Sequence, residues 1–176
     1  MKEICGMNPL CICFETTSVT EIGQKNLDNL SKMGMDVIHF KKNHEVYKKM
    51  VIEGFKRVGD EMWPNHLGIF TIPVMFAVKF NIPLIIWGEN SQNEYGGPAA
   101  ASDSSILNRR WLEEFGGLLG LRVSDLSDLY GVKENELIPY NYPSDIELAE
   151  VGVTGLFMGH YFKWDGLANY ILAQAN

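Results

Sequence analysis

The sequence predicts an α/β fold in which helices flank a parallel sheet. Three observations predict it. Short apolar runs alternate with helical segments as far as residue 87, and such alternation is typical of a parallel sheet with right-handed crossovers. The first run, Leu10–Phe14, is apolar throughout, as in a strand that is covered on both faces,. The length of 176 residues suits one domain with a sizeable core, so we expect a single domain over 1–176.

The alternating elements occupy the first half of the chain. Three apolar runs predict strands at Leu10–Phe14, Asp36–Phe40 and 82–87,. Helices are predicted at 21–33, with Ser18 or Thr20 as the cap, at His44–Val58, capped by Asn43, and at 67–80,. Gly34 and Gly59 follow the first two helices, as glycine commonly does at a helix end. Pro73 predicts a kink or a break in the third.

The second half has a less regular pattern. Residues 91–103 are rich in Gly, Ala, Ser and Pro, which predicts a long loop,. The remaining predictions are short helices at 106–115 and 123–130, an extended stretch at 136–143, a helix at Asp145–Val151 capped by Ser144, a strand at 154–158 and a helix at 167–175.

Composition excludes several classes of protein. Fifteen basic and 22 acidic residues give a net charge of −7, which argues against nucleic-acid binding because a basic patch is needed to hold a phosphate backbone. No apolar run reaches the ~20 residues that span a bilayer, and the first residues do not resemble a signal peptide. We therefore expect a cytoplasmic protein. Cys5, Cys11 and Cys13 suggest buried free thiols rather than a disulfide framework or a zinc site.

The carboxyl ends of the strands are where a parallel sheet binds ligands. These ends are 14–17, 41–43 and 87–90, and the last strand ends at 159–161. The third end is the most informative, because Gly88 permits close backbone approach, Glu89 can accept a proton or bind a metal, and Asn90 can both donate and accept hydrogen bonds. A polar loop with turn glycines is the alternative interpretation. The position of residues 87–90 after a buried strand favours a functional site over that alternative.

Other residues have simpler interpretations. A single histidine such as His66 is more often structural than functional. Lys41 and Lys42 most simply form a solvated face, and Trp164-Asp165-Gly166 is most simply a turn or a helix cap.

One segment resembles a known family. The run IPLIIWGENSQNEYGGP at 82–98 resembles the N-acetyl sugar amidotransferases of bacterial surface-polysaccharide biosynthesis. The segments GDEMWPNHLGIFTIPVMFAVKFNIP and ELIPYNYPSDIELAEVGVTGLFMGHYFKWDGLANY resemble the family before and after it. The resemblance extends from about Leu10 to the end of the chain.

The resemblance implies a fold and an activity. Members of this family belong to the PP-loop ATP pyrophosphatase superfamily, which has a Rossmann-like fold (adenine nucleotide α-hydrolase-like). They adenylylate a carbonyl oxygen with ATP and Mg²⁺, and a nitrogen nucleophile then displaces AMP. An N-acetyl group on a sugar would become an acetamidino group, with ammonia supplied by a glutaminase partner, in lipopolysaccharide or O-antigen biosynthesis. An amide oxygen is a poor leaving group, and adenylylation makes it a good one.

The resemblance also assigns roles to residues. Glu89 and Asn90 would be catalytic, beside the nucleotide phosphates or the sugar amide. The nucleotide would bind near Phe14, Glu15, Thr16 and Gly88, and the sugar near Trp87, Gln92, Glu94, Tyr95, Gly96, Gly97 and His66.

Two departures from the family pattern shape the expected function. The superfamily has a Ser-Gly-Gly-x-Asp-Ser phosphate loop upstream of the strand at Leu10, and residues 1–9 do not contain it. The family's Cys-Trp-Pro-Cys-His sequence is here Met62-Trp63-Pro64-Asn65-His66, which lacks both thiols. We therefore expect a fragment or a degenerate form of a longer enzyme, inactive by itself.

Two other functions remain as alternatives. The chain could be a non-catalytic module that binds a sugar nucleotide or a glutaminase subunit, or an unrelated α/β ligand-binding protein without affinity for nucleotides. Self-association is also expected, because a sheet that lacks its first strand exposes an unpaired edge.

Overall fold

The computed structural model describes residues 1–15, 18–88, 106–107, 109–114, 117–126 and 131–175, and within them the fold is mixed α/β. The α-helices are α1 Lys2–Cys5, α2 Glu21–Lys32, α3 His44–Val58, α4 Trp63–Phe80, α5 Arg109–Glu114, α6 Glu134–Leu137, α7 Asp145–Val151 and α8 Gly166–Ala175. The strands are β1 Leu10–Phe14, β2 Asp36–Phe40, β3 Leu84–Trp87, β4 Ile106–Leu107 and β5 Thr154–Phe157. Single 3-10 turns lie at Val123–Leu126, Ile138–Tyr140 and Met158–His160.

Local capping interactions fix the helix ends. The Thr20 hydroxyl accepts a hydrogen bond from the Gly23 N–H at 3.1 Å, and the Asn43 side chain accepts from the Glu45 N–H at 3.1 Å. At α7, the Ser144 hydroxyl accepts from the Glu147 N–H, and the Glu147 carboxylate accepts from the Ser144 N–H. These bonds satisfy N–H groups that have no partner inside the helix.

The strands form two separate sheets in the described part of the chain. β1 and β2 are parallel, with Leu10 opposite Asp36. β5 lies between β3 and β4, parallel to β3 and antiparallel to β4. The expectation of one parallel sheet is therefore met only in part: the parallel pairs are present, but β1 and β3 are not hydrogen-bonded neighbours.

Helix α4 packs against both sheets and is the centre of the core. The Phe14 ring of β1 lies against Gly68 of α4, and Phe70 lies against Trp87 of β3 with ring centroids 5.2 Å apart. Trp63, at the start of α4, is fully buried and donates from Nε1 to the Leu118 carbonyl at 3.1 Å. Burial on most of its surface explains the strongly apolar sequence of α4.

Three predictions of secondary structure are wrong in part. Residues 136–140 are not extended, because the chain makes α6 and then the 3-10 turn Ile138–Tyr140, where Pro139 occupies an early position that needs no N–H donor, although Asn141 is extended,. Of the helix predicted at 106–115, residues 106–107 form a strand that pairs with β5, and Arg109–Glu114 is helical. Of the helix predicted at 123–130, residues 123–126 form a 3-10 turn. Residues 108, 115 and 127–130 lie outside the described residues.

Pro73 does not break α4, which continues as a helix to Phe80. Burial of the surrounding residues Thr71, Ile72 and Val74 holds the helix across the missing hydrogen bond,. None of the helices that the structure describes has the length and apolar character needed to cross a membrane.

Candidate functional site

The carboxyl ends of β1 and β2 bring Glu15 and Lys42 together. Because the strands are parallel neighbours, the residues that follow them emerge at the same edge,. The Glu15 carboxylate accepts a hydrogen bond from the Lys42 backbone N–H at 3.3 Å and lies 3.7 Å from His44 Nε2. Phe14 and Glu15, both predicted to bind the nucleotide, are thus at this edge.

Lys42 is the residue that the sequence interpretation missed. It was expected on a solvated face, but its side chain is only 4% exposed, whereas Lys41 is exposed. The ammonium lies 3.7 Å from the centroid of the Tyr47 ring and 5.7 Å from that of Phe14. Among the described residues, it has no hydrogen-bond partner. Burial lowers the pKa of Lys42, and the nearby Glu15 carboxylate opposes this effect.

Tyr140 adds a second buried polar group. Its ring meets Phe14 edge to face, with centroids 6.4 Å apart, and its hydroxyl is buried without a hydrogen-bond partner in the described part of the chain. Burial, with contributions from Tyr47 and Glu15, raises the pKa of Tyr140 to about 12, so the hydroxyl keeps its proton and remains a donor. We call Phe14, Glu15, Lys42, Tyr47 and Tyr140 the strand-end cluster.

Asn65 holds this cluster to α4. The Tyr47 hydroxyl donates to Asn65 Oδ1 at 2.6 Å, and both residues are buried. The bond fixes the ring over which the Lys42 ammonium lies.

A cavity of about 220 Å³ lies beside Tyr140. Its polar lining includes Arg109, Arg122 and Glu113, and Tyr142 adds an aromatic face. Each arginine already has an acidic partner: Arg109 Nε is 2.9 Å from Asp145 Oδ1, and an Arg122 terminal nitrogen is 2.7 Å from Glu113 Oε2. The cavity is therefore close to charge-balanced and offers both donors and acceptors.

Tyr142 stays neutral in this setting. Burial raises its pKa to about 12, the Arg109 guanidinium 5.1 Å from the ring centroid lowers it, and the Asp145 carboxylate raises it. An aromatic face beside paired charges suits a neutral ligand that carries hydroxyl or amide groups.

The other predicted residues are distributed as follows. Gly88 follows β3 and is exposed. Trp87 is buried, 6.5 Å from Phe157 between ring centroids, and its Nε1 has no hydrogen-bond partner within the described ranges. Their ligand roles stay predictions. The remaining ones fall outside the described residues: Thr16, Glu89, Asn90, Gln92, Glu94, Tyr95, Gly96 and Gly97.

His66 lies near the start of α4. Its Nδ1 is 3.4 Å from Asp60 Oδ2. The ring also covers Gly117, where a Cβ would come within 2.5 Å of Nδ1. These contacts are those of a residue that packs the 117–121 turn onto α4. Its predicted role in sugar binding stays a prediction.

The cysteines are free thiols, as predicted, although Cys5 is exposed and Cys11 and Cys13 are only half-buried. Burial raises the pKa of Cys11 and Cys13, which keeps them protonated and unreactive,. In the part of the chain that the structure describes, no group of three or more His, Cys, Asp or Glu side chains could hold a metal ion.

Comparison with known proteins does not assign this sequence to a family. No model of a protein family matches the sequence, and no curated protein matches it.

Proposed function

We propose that this chain forms part of an ATP-dependent N-acetyl sugar amidotransferase that acts in the cytoplasm, in lipopolysaccharide or O-antigen biosynthesis. The resemblance at 82–98 suggests the family, and with it a Rossmann-like arrangement of the PP-loop type. The observation that carries the proposal is the strand-end cluster. Two polar groups, Lys42 Nζ and Tyr140 Oη, are buried there without hydrogen-bond partners among the described residues, at the edge where parallel sheets bind ligands.

The cluster suits the anionic part of a nucleotide. A buried polar group without a partner costs about 1–3 kcal/mol, so its retention is best explained by a ligand that supplies the bond. Phosphate oxygens accept hydrogen bonds from ammonium and hydroxyl groups. The described residues show no donor set for Mg²⁺, so we assign no residue to it.

The cavity beside Tyr140 suits the sugar. Its volume of about 220 Å³ corresponds to roughly seven water molecules at ~30 Å³ each. Pockets for drug-sized ligands occupy ~300–1,000 Å³, so the cavity is too small for a nucleotide and fits a single sugar ring. Because Tyr140 belongs to both sites, the sugar amide and the nucleotide would meet near its hydroxyl.

The proposed reaction has two steps. The amide oxygen of the N-acetyl group attacks the α-phosphorus of ATP, and pyrophosphate leaves. Ammonia from a glutaminase partner then attacks the activated carbon, and AMP leaves with the oxygen to give the acetamidino group. In this scheme Glu89 and Asn90 would act beside the nucleotide phosphates or the sugar amide, and Lys42 would hold the phosphates.

A second candidate is a non-catalytic module that binds a sugar nucleotide or a glutaminase subunit. The 176 residues contain no Ser-Gly-Gly-x-Asp-Ser sequence, so these residues do not themselves supply the phosphate loop of the superfamily that the sequence resembles. Both candidates share the strand-end cluster and the cavity, and they differ in whether pyrophosphate is released.

Two measurements test the proposal. We expect calorimetry to detect ATP or a uridine-diphosphate N-acetyl sugar binding, and Lys42→Met to weaken nucleotide binding at least about tenfold, since a hydrogen bond to a charged group contributes about 1.5–3 kcal/mol. Lys41→Met is the matched control, because Lys41 is adjacent and exposed. Equal effects of the two substitutions on nucleotide binding would show that Lys42 does not contact the nucleotide. No affinity for either ligand would refute the enzyme proposal and the sugar-nucleotide form of the second candidate, and would leave only a module that binds a glutaminase subunit.

The second measurement is a pyrophosphate-release assay with ATP, glutamine and N-acetyl sugars. We expect the chain alone to release none, and addition of a protein that carries the phosphate loop to restore release if the enzyme proposal is right. Pyrophosphate release by the chain alone would show that the reaction does not require the phosphate loop.

A further inference from the structure

The end of the described chain carries a dense set of exposed apolar side chains. Six large ones, each between 55% and 70% exposed, lie within eleven positions: Tyr161, Phe162, Trp164, Leu167, Tyr170 and Ile171. We call them the C-terminal patch. Every residue from His160 to Gln174 is exposed, so the segment is not covered by the rest of the described chain.

Helix α8 requires a packing partner. Its sequence GLANYILAQA has ten residues and no charged side chain. Leu167, Tyr170 and Ile171 follow the i, i+3, i+4 spacing that places them in one apolar stripe. Isolated helices shorter than about 12–15 residues are marginal in water, and this one gains no support from charge pairs. Locally, Asp165 Oδ1 caps α8 by accepting from the Ala168 N–H at 2.9 Å, and Gln174 Nε2 donates to the Tyr170 hydroxyl at 2.7 Å. Burial of the apolar stripe would add to these two hydrogen bonds.

The size of the patch matches one side of a stable interface. An aromatic side chain buries ~150–250 Å², so the exposed parts of the four aromatic residues amount to roughly 350–600 Å², and the exposed parts of Leu167 and Ile171 add to this area,. The largest apolar patch on a typical monomer is about 300–600 Å². A standard interface buries about 800 Å² on each partner.

We propose that the C-terminal patch joins two copies of this chain in a two-fold dimer, independently of the proposed activity. Between Tyr161 and Ala175 the charged residues are Lys163 and Asp165. They have opposite signs, so a two-fold arrangement lets Lys163 of one copy pair with Asp165 of the other. The patch is thus self-complementary, although the whole chain carries a net charge of −7,. A membrane-surface helix would instead carry Lys or Arg on its polar face.

Sedimentation equilibrium and light scattering after gel filtration test the dimer. We expect the unmodified chain to be a dimer at tens of micromolar, and Leu167→Glu with Ile171→Glu to weaken association at least about thirtyfold, or about 2 kcal/mol, as for central interface residues. Ile22→Glu on α2 is the matched control, because Ile22 is also 70% exposed. It should leave the dimer intact.

A second readout covers the case in which the double variant does not fold. Trp164 is 59% exposed in the single chain, so dimerisation should shift its fluorescence to shorter wavelength with rising concentration. Trp164→Phe should abolish that shift. A monomer at all concentrations, equal dissociation by Ile22→Glu, or partition of the monomer onto phosphatidylcholine–phosphatidylglycerol vesicles would each overturn the proposal.

Discussion

Substitution of Gly68 by alanine tests the contact between α4 and β1. A Cβ at this position would lie 2.4, 2.6 and 2.7 Å from three ring atoms of Phe14, well inside van der Waals contact. The ring cannot move freely, because Phe40 stacks on it at 6.0 Å and Tyr140 meets it at 6.4 Å. Overpacking of this kind costs about 1–3 kcal/mol, whereas alanine in a helix normally gains roughly 0.5–1 kcal/mol over glycine. We expect a net loss of about 1–2 kcal/mol in the free energy of unfolding.

Urea denaturation of a double-mutant cycle measures this loss. In a Phe14→Ala background the added methyl group has space, so Gly68→Ala should stabilise by roughly 0.5–1 kcal/mol, which gives a coupling energy of about 1.5–3 kcal/mol. Gly166→Ala at the start of α8 is a control, since its Cβ would meet only Trp164 Nε1, at the ordinary contact distance of 3.9 Å. A stabilising Gly68→Ala in the unmodified protein, or the same loss in both backgrounds, would refute the close packing of α4 on β1.

Three further substitutions have expected effects on stability. Lys42→Met should raise the free energy of unfolding at pH 7 by about 1 kcal/mol, because it removes a buried ammonium without a hydrogen-bond partner in the described chain,. Since the folded-state pKa of Lys42 lies below 10.5, the unfolded state binds more protons just below that pH, and urea titrations should show a rise in stability with pH that the variant lacks. Tyr140→Phe should leave the free energy of unfolding unchanged or raise it by about 1 kcal/mol in the same assay. A decrease of about 1 kcal/mol or more would indicate that the hydroxyl has a hydrogen-bond partner. Asn43→Ala should cost about 1 kcal/mol in thermal unfolding, because the Glu45 and Val46 N–H groups lose their acceptor,.

Local structure was the part of the fold that the sequence could predict. The bounds of β1, β2, α3 and α7 agree with the predicted ones, and the reason is that their causes lie within a few residues. Asn43 and Ser144 cap the helices that follow them, and Gly59 ends α3 with φ of 75°. Such determinants are visible in a short window of sequence.

The sheet arrangement and the site depend on distant residues and could not be predicted in the same way. The Lys42 ammonium lies over Tyr47 and near Phe14, a residue 28 positions earlier in the sequence. Tyr140, which packs edge to face on Phe14, is 126 positions after it. The Arg122–Glu113 pair that lines the cavity has no helical spacing. The strand-end rule placed Phe14 and Glu15 at the edge that β1 and β2 share, but it could not show which polar groups there lack partners among the described residues.

The division of the strands into two sheets has a consequence for the order in which the chain folds. Leu10 pairs with Asp36, 26 positions away, and Leu84 pairs with Thr154, 70 positions away. Loop-closure entropy makes the second pairing more costly by about 0.9 kcal/mol. We expect native-state hydrogen exchange to resolve two cooperative units, with the amides of β3 and β5 opening at a lower free energy than those of β1 and β2. Helix α4, which touches both sheets, would be the last element to lose its protection.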